Sequence, residues 1–135
     1  MPKLDAFGIP VSDMARSIAF YHRLGLDFPE GAENEGHAEA ELGGGVRYML
    51  DTEEVMRAFD PEWKRPMDGH LVGGAFRCNS PEEVDRLYRE LLDAGATPYK
   101  EPWNAFWGQR YAQLKDPDGT VIDLYAPLPD SGNVG

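Results

Sequence analysis

The feature that most constrains this chain is an internal echo, in which one order of elements runs twice at a spacing of 67 positions. The chain has 135 residues, so that spacing is half its length. Asp13 stands before Met14, Ile18, Tyr21 and Leu24, apolar residues at helical spacing, and Gly25 supplies a stop. Ser80-Pro81-Glu82-Glu83 reads as an N-cap, a first-turn proline and a capping-box glutamate. Val84, Leu87, Tyr88, Leu91 and Leu92 follow, and Gly95 ends the pattern. The caps Asp13 and Ser80, the tyrosines Tyr21 and Tyr88, and the leucines Leu24 and Leu91 all keep the same separation.

Strand-like segments complete each copy. Residues 4–11 and 71–78 precede the helices. Residues 26–28, 37–42 and 46–50 follow the first helix, the last two joined by Gly43-Gly44-Gly45, a hairpin signal. Residues 96–99, 107–115 and 120–125 follow the second, the last two joined by Asp116-Pro117-Asp118-Gly119, which suits a type I turn with a bulge. The expected class is therefore α+β, with two βαβββ modules. Neither module is large enough to bury a sheet face alone, so the pair is expected to form a curved eight-stranded mixed sheet with helices outside and a concave ligand cavity inside. Within a single domain over 1–135, module one takes about 3–51, a linker with a short helix near 53–59 takes 52–68, module two takes about 69–126, and 127–135 reads as a loose tail.

Composition limits the partners. The net charge of −11 disfavours phosphate backbones and anionic membranes and favours cationic small molecules, unless it serves solubility alone. No apolar run is long enough to span a bilayer, and the first residues lack the apolar stretch of a secretory signal, so a cytoplasmic protein is expected. A lone cysteine, Cys78, excludes an internal disulfide and a cysteine-rich zinc site.

Two segments carry a family resemblance. Val11-Ser12-Asp13-Met14-Ala15-Arg16-Ser17-Ile18-Ala19-Phe20-Tyr21 is one; Trp107-Gly108-Gln109-Arg110-Tyr111, continuing through Asp116-Pro117-Asp118-Gly119-Thr120-Val121-Ile122-Asp123-Leu124, is the other. Together they closely resemble the vicinal oxygen chelate superfamily, which holds glyoxalase I, bleomycin-resistance proteins, fosfomycin-resistance enzymes and extradiol dioxygenases. The resemblance spans roughly residues 3–126 and specifies a fold more than an activity. It implies a divalent metal held by one side chain from the first and last strand of each module. Those positions fall here on Ala6, Met49, Gly73 and Asp123, of which only Asp123 is a suitable ligand. Asp51, two residues from Met49 on the same strand face, is the nearest second donor, whereas Asp5 and His70 lie at odd offsets on the opposite face. About three protein ligands are needed for useful affinity, so the resemblance points to a metal-free member of the bleomycin-resistance type with no cofactor.

Strand alternation assigns the faces. Phe7, Ile9, Val11, Val46, Tyr48, Leu50, Phe76, Cys78, Ile122 and Leu124 are expected against the helices. Gly8, Arg47, Met49, Asp51, Ala75, Arg77, Val121, Asp123 and Tyr125 are expected in the concavity, with Gln113 and Tyr111 beside Asp123 and Tyr125. Trp103, Phe106 and Trp107 sit on an expected loop, as ligand-lining aromatics or as the cover of a core or dimer seam. Phe59 is expected to anchor the short helix, the alternative being that Phe59 and Trp63 close over the mouth of the cavity. Asp123 and Asp51 suit an amine, Arg47 and Arg77 suit a carboxylate, and Arg77 has Asp123 as a possible partner. His22 and His37 have no nucleophile or base placed beside them by spacing, so Asp123 is the one catalytic candidate.

The ligand-binding residues expected are thus Arg47, Met49, Asp51, Arg77, Trp103, Phe106, Trp107, Tyr111, Gln113, Asp123 and Tyr125. The leading function is metal-free binding of a medium-sized, planar or cationic organic molecule, of the antibiotic-resistance type, by a homodimer. The alternatives are a metal-dependent lyase, isomerase or dioxygenase, and a protein-interaction module docking through the 103–107 segment.

Overall fold

The computed structural model describes residues 1, 3–65 and 71–129, with backbone only for 71–73. The chain divides into two units, 1–69 and 70–135, and each described sheet lies within one of them.

In the first unit, strand β1 (Ala6–Val11) leads to helix α1 (Met14–His22), a 3-10 turn (Ala32–Asn34), strands β2 (His37–Glu41) and β3 (Arg47–Thr52), and helix α2 (Glu53–Phe59). The sheet order is β1-β3-β2, with β1 parallel and β2 antiparallel to β3. In the second unit, strand β4 (Leu71–Arg77) leads to helix α3 (Pro81–Asp93) and strands β5 (Thr97–Ala105), β6 (Gln109–Lys115) and β7 (Thr120–Pro127). Their order is β4-β7-β6-β5. In both units the first strand lies parallel to the last, so the repeat is a repeat of topology.

The helix caps form as the sequence indicates. Asp13 accepts a hydrogen bond from the Arg16 N–H at 3.1 Å, and Ser80 accepts one from the Glu83 N–H at 3.1 Å. The Glu83 carboxylate in turn accepts from the Asn79 N–H at 2.6 Å, closing the N-terminus of α3. Gly25 and Gly95 adopt φ of +90° and +109°, which lets the Leu26 N–H reach the Tyr21 carbonyl at 3.1 Å and the Ala96 N–H reach the Leu91 carbonyl at 3.0 Å. Those endings show where the echo drifts. α3 has 13 residues against 9 in α1, so Leu91 is a fully buried helix residue while Leu24 lies in the turn beyond α1.

Among the described residues there are seven strands rather than eight. Residues 26–28 form no strand. Pro29 follows directly and has no N–H for a ladder, and Leu26 is instead buried as a plug beneath the end of α1. The segment around Trp103 departs from expectation in the other direction. It is strand, part of β5, and not loop. Pro98 and Pro102 obscured this, but β5 is an edge strand whose register shifts on both sides of Lys100, and edge strands and bulges tolerate proline.

Face assignment follows the pleat. Val11, Leu50, Ile122 and Leu124 are fully buried, and Tyr48 and Cys78 nearly so. Ile9, Val46 and Phe76 are only half-buried, and Phe7 is 51% exposed. β1 is an edge strand, and its exposure falls only toward Val11, where the chain turns into α1. Phe59 anchors nothing: it is 86% exposed, and α2 turns Val55 and Met56 toward the protein instead. Gly36 is required there, because a Cβ would lie 2.6 Å from Val55 Cγ2. Val121, expected in the concavity, is buried. The called tail begins as ordered chain, since the Leu128 N–H donates to the Gly108 carbonyl at 3.0 Å; residues 130–135 lie outside the described residues.

Candidate functional site

Each unit presents one chemically rich sheet face, and the two differ in kind. In the second unit β6 and β7 pair so that Gln113 lies opposite Asp123 and Tyr111 opposite Tyr125, in the expected register. The Asp123 carboxylate accepts hydrogen bonds from the Tyr111 hydroxyl and from Gln113 Nε2, the latter at 2.8 Å. Burial, and then the bond to Asp123, push the Tyr111 hydroxyl far above the ordinary tyrosine range, so it stays a donor at physiological pH. Asp123 therefore accepts two side-chain hydrogen bonds from its own sheet and keeps further lone pairs for a ligand.

Aromatic rings rise from that carboxylate. Tyr111 meets Trp107 edge to face at 5.3 Å between centroids, Trp107 meets Trp103 at 5.5 Å, and Phe106 meets Trp107 at 4.9 Å. Trp107 Nε1 donates to Gln109 at 2.8 Å, which fixes the ring. Lys100 lies 4.8 Å from the Trp103 ring centre, so this surface already holds one cation–π contact. Phe106 is 89% exposed and Trp107 47% exposed, on the turn between β5 and β6. The indole N–H of Trp103 is buried and has no hydrogen-bond partner among the described residues. Arg77 is exposed, and the pairing proposed for it with Asp123 gives way to Tyr111 and Gln113.

On the other side of this sheet Arg110 grips Asp85 of α3 through Nε at 2.9 Å and Nη2 at 3.1 Å, and donates to Asn104 at 3.1 Å. That contact ties the helix to the strands.

The face of the first unit is a polar chain. Register places His37 opposite Asp51, Glu39 opposite Met49, and Glu41 opposite Arg47, with Ala6, Gly8 and Pro10 on the far side of β3. Asp51 approaches His37 Nδ1 at 2.6 Å, and Glu39 approaches His37 Nε2 at 2.7 Å. Arg47 donates to Glu39 at 2.9 Å and to Asp5. Arg47 and Asp51 are thus on the expected face but already engaged. His37 was missed as a site residue because alternation shows which side it takes, whereas its partner Asp51 comes from a strand 14 residues on. Hydrogen bonding to Glu39, then to Asp51, raises the His37 pKa above its ordinary value, and the same contact with His37, then Arg47, lowers Glu39.

A histidine raised by folding stabilises the fold fully below its unfolded value of about 6.5, and that contribution is lost as pH rises through the higher folded value. Thermal denaturation of the His37→Asn variant beside the parent is expected to show this component missing, so that the gap between them narrows from pH 6 to pH 8. A gap independent of pH would refute it.

Among the described residues no donor set for a metal assembles. The positions at which the resemblance implies metal ligands carry alanine, methionine and glycine beside Asp123, and Asp51, the nearest second donor, is held by His37. Among the described residues no three histidine, cysteine or acidic side chains converge for an ion, and His70 lies outside those residues. Cys78 is buried, and that burial pushes its thiol up to about 11, which suits packing rather than nucleophilic attack.

A first unit with strand order β1-β3-β2 and a second with order β4-β7-β6-β5, each with its first strand parallel to its last and a chemically rich sheet face, define an α+β protein of two related units. The Glyoxalase/Bleomycin resistance protein/Dioxygenase superfamily matches residues 3–124, and the chain belongs to it. The uncharacterized protein YraH of Bacillus subtilis (strain 168) is 28% identical over 128 residues, covering 93% of this chain and 99% of its own. A hypothetical protein of S. aureus shares the fold with a TM-score of 0.77 at 22% identity, over 93% of this chain and 95% of that one. A glyoxalase/bleomycin resistance protein/dioxygenase from Nocardioides has a TM-score of 0.70 at 26% identity, over 96% of this chain and 85% of its own.

Proposed function

We propose that this protein binds and sequesters a medium-sized, planar, cationic organic molecule without a metal, as antibiotic-resistance members of its superfamily do. The observation that supports this most is the ladder of Trp103, Trp107, Phe106 and Tyr111 beside a carboxylate held by its own sheet. Stacking and cation–π contact on such rings contribute about 1 kcal/mol each, and Asp123 supplies the opposite charge. Tyr125 and Gln113 complete that face, and Arg47, Met49 and Asp51 are the ligand-contacting residues of the first unit. Asp51 favours an amine there, since Arg47 is neutralised by Glu39 and Asp5. The net charge of −11 draws cations toward the whole surface. The same reading places the protein in the cytoplasm as a homodimer, with neither nucleic acid nor membrane as partner.

A thermal-shift screen with thioflavin T, berberine and other planar aromatic cations tests the proposal. At least one of them is expected to raise Tm by several degrees at a hundredfold excess over its Kd, while Zn²⁺ and Mn²⁺ leave Tm unchanged. Protein purified without chelator and carrying one transition metal per chain would instead favour the metal-dependent lyase, isomerase or dioxygenase reading.

A further inference from the structure

His37 stands at the start of β2, opposite Asp51 of β3. Its ring stands between two carboxylates, with Asp51 Oδ1 2.6 Å from Nδ1 and Glu39 Oε2 2.7 Å from Nε2. A carboxylate only accepts, so both ring nitrogens must donate, and only the imidazolium has two N–H groups. A neutral ring satisfies one carboxylate and turns a lone pair toward the other. Glu39 has Arg47 as a second donor at 2.9 Å, so Asp51 is the carboxylate that a neutral ring releases.

We propose that His37 sets the ligand preference of the first unit's face: as an imidazolium it occupies Asp51, and as a neutral ring it gives Asp51 up to a cationic ligand. This rests on the reading that the face binds such a ligand, and adds to it a dependence on pH. Asp51 lies on the same strand face as Met49 and Arg47, with Pro10 as its register partner on β1 and Gly8 opposite Met49. Loss of the proton removes one positive charge from a face that carries Asp5, Glu39, Glu41 and Asp51 against Arg47. The neighbouring elements bring Glu33 and Glu35 near the 3-10 turn and Glu53, Glu54 and Arg57 on α2, with Glu53 held by Arg65 at 2.6 Å. These groups add further acidic character, and the raised His37 pKa agrees with it.

Two measurements on the full chain test the proposal. In the first, ring resonances of His37, assigned by their loss in His37→Asn, are followed by NMR from pH 5 to 9 with the methyl signal of Met49. The His37 midpoint is expected above the ordinary histidine value of about 6.5, lower in Asp51→Asn and in Glu39→Gln, and the Met49 methyl is expected to shift with it. A midpoint at or below about 6.5, or a Met49 methyl blind to the titration, overturns the proposal. In the second, thioflavin T binding to the Asp123→Asn chain, which leaves the first unit's face as it is, is measured at pH 6 and pH 8.5. Loss of one positive charge within several ångströms is expected to tighten that binding about fivefold at the higher pH, and adding His37→Gln is expected to abolish the difference. Equal affinity at both pH values, or no binding by this variant, overturns the proposal. If thioflavin T and the other planar cations bind the parent chain at neither pH, the binding function itself falls and takes the ligand half of this proposal with it, whatever the NMR titration shows.

Discussion

Replacing Asp123 with asparagine is expected to weaken binding of thioflavin T by about ten- to a hundredfold while changing the unfolding free energy by less than about 1 kcal/mol. The substitution preserves shape and leaves one oxygen to accept from Tyr111 or Gln113. It removes the charge. A hydrogen bond to a charged group contributes about 1.5–3 kcal/mol, which sets the size of the loss. Trp107→Ala removes the ring at the centre of the ladder, in contact with Trp103, Phe106 and Tyr111, and is expected to cost about tenfold. A neutral planar dye of similar area separates the two effects, since Trp107→Ala should weaken it and Asp123→Asn should not. Fluorescence titration decides the matter. If Asp123→Asn binds thioflavin T as tightly as the parent, the carboxylate is a structural hydrogen-bond acceptor and the ligand's charge is read elsewhere.

Leu124→Ala is expected to destabilise the protein by about 3 kcal/mol, a large share of the 5–15 kcal/mol typical of a domain. Leu124 is fully buried on β7, a central strand flanked by β4 and β6, where it pairs with Phe76 on one side and Ala112 on the other. A cavity there has little to collapse into it, because Ala112, Leu114 and Ile122 around it are themselves fully buried in a sheet fixed by its ladders. Urea unfolding followed by tryptophan fluorescence measures the change, which corresponds to about 10 °C in Tm. A loss below about 1 kcal/mol would mean that Leu124 is not enclosed in the core of this unit. Leu50→Ala makes the corresponding test in the first unit, where Leu50 is fully buried on the central strand β3.

Much of this was legible in one dimension. The caps Asp13 and Ser80, the stops Gly25 and Gly95, the triglycine hairpin and the Asp116 to Gly119 turn are local, set by φ/ψ preferences and by hydrogen bonds between residues a few positions apart. Period-two alternation is also local, and it assigned Tyr48, Leu50, Ile122 and Leu124 to the buried side and Met49, Asp51 and Asp123 to the other. The sequence profile of both modules likewise reached the superfamily.

What alternation cannot supply is where a sheet ends and what crosses it. That Phe7 and Phe59 stay exposed depends on how far short helices reach over an edge strand. That Trp103 belongs to β5 depends on that strand lying at an edge, where two prolines and shifted register cost nothing in lost ladder bonds. The His37 bridge to Asp51 and the two hydrogen bonds on Asp123 join residues brought together only by strand pairing. The amino-acid order by itself thus determined the repeat, the helix ends and the side of the sheet each strand residue takes, because those follow from bonds and sterics within a few residues. Only the tertiary structure decided which charged groups are matched within the protein, because a charge is neutralised by whatever the fold sets beside it.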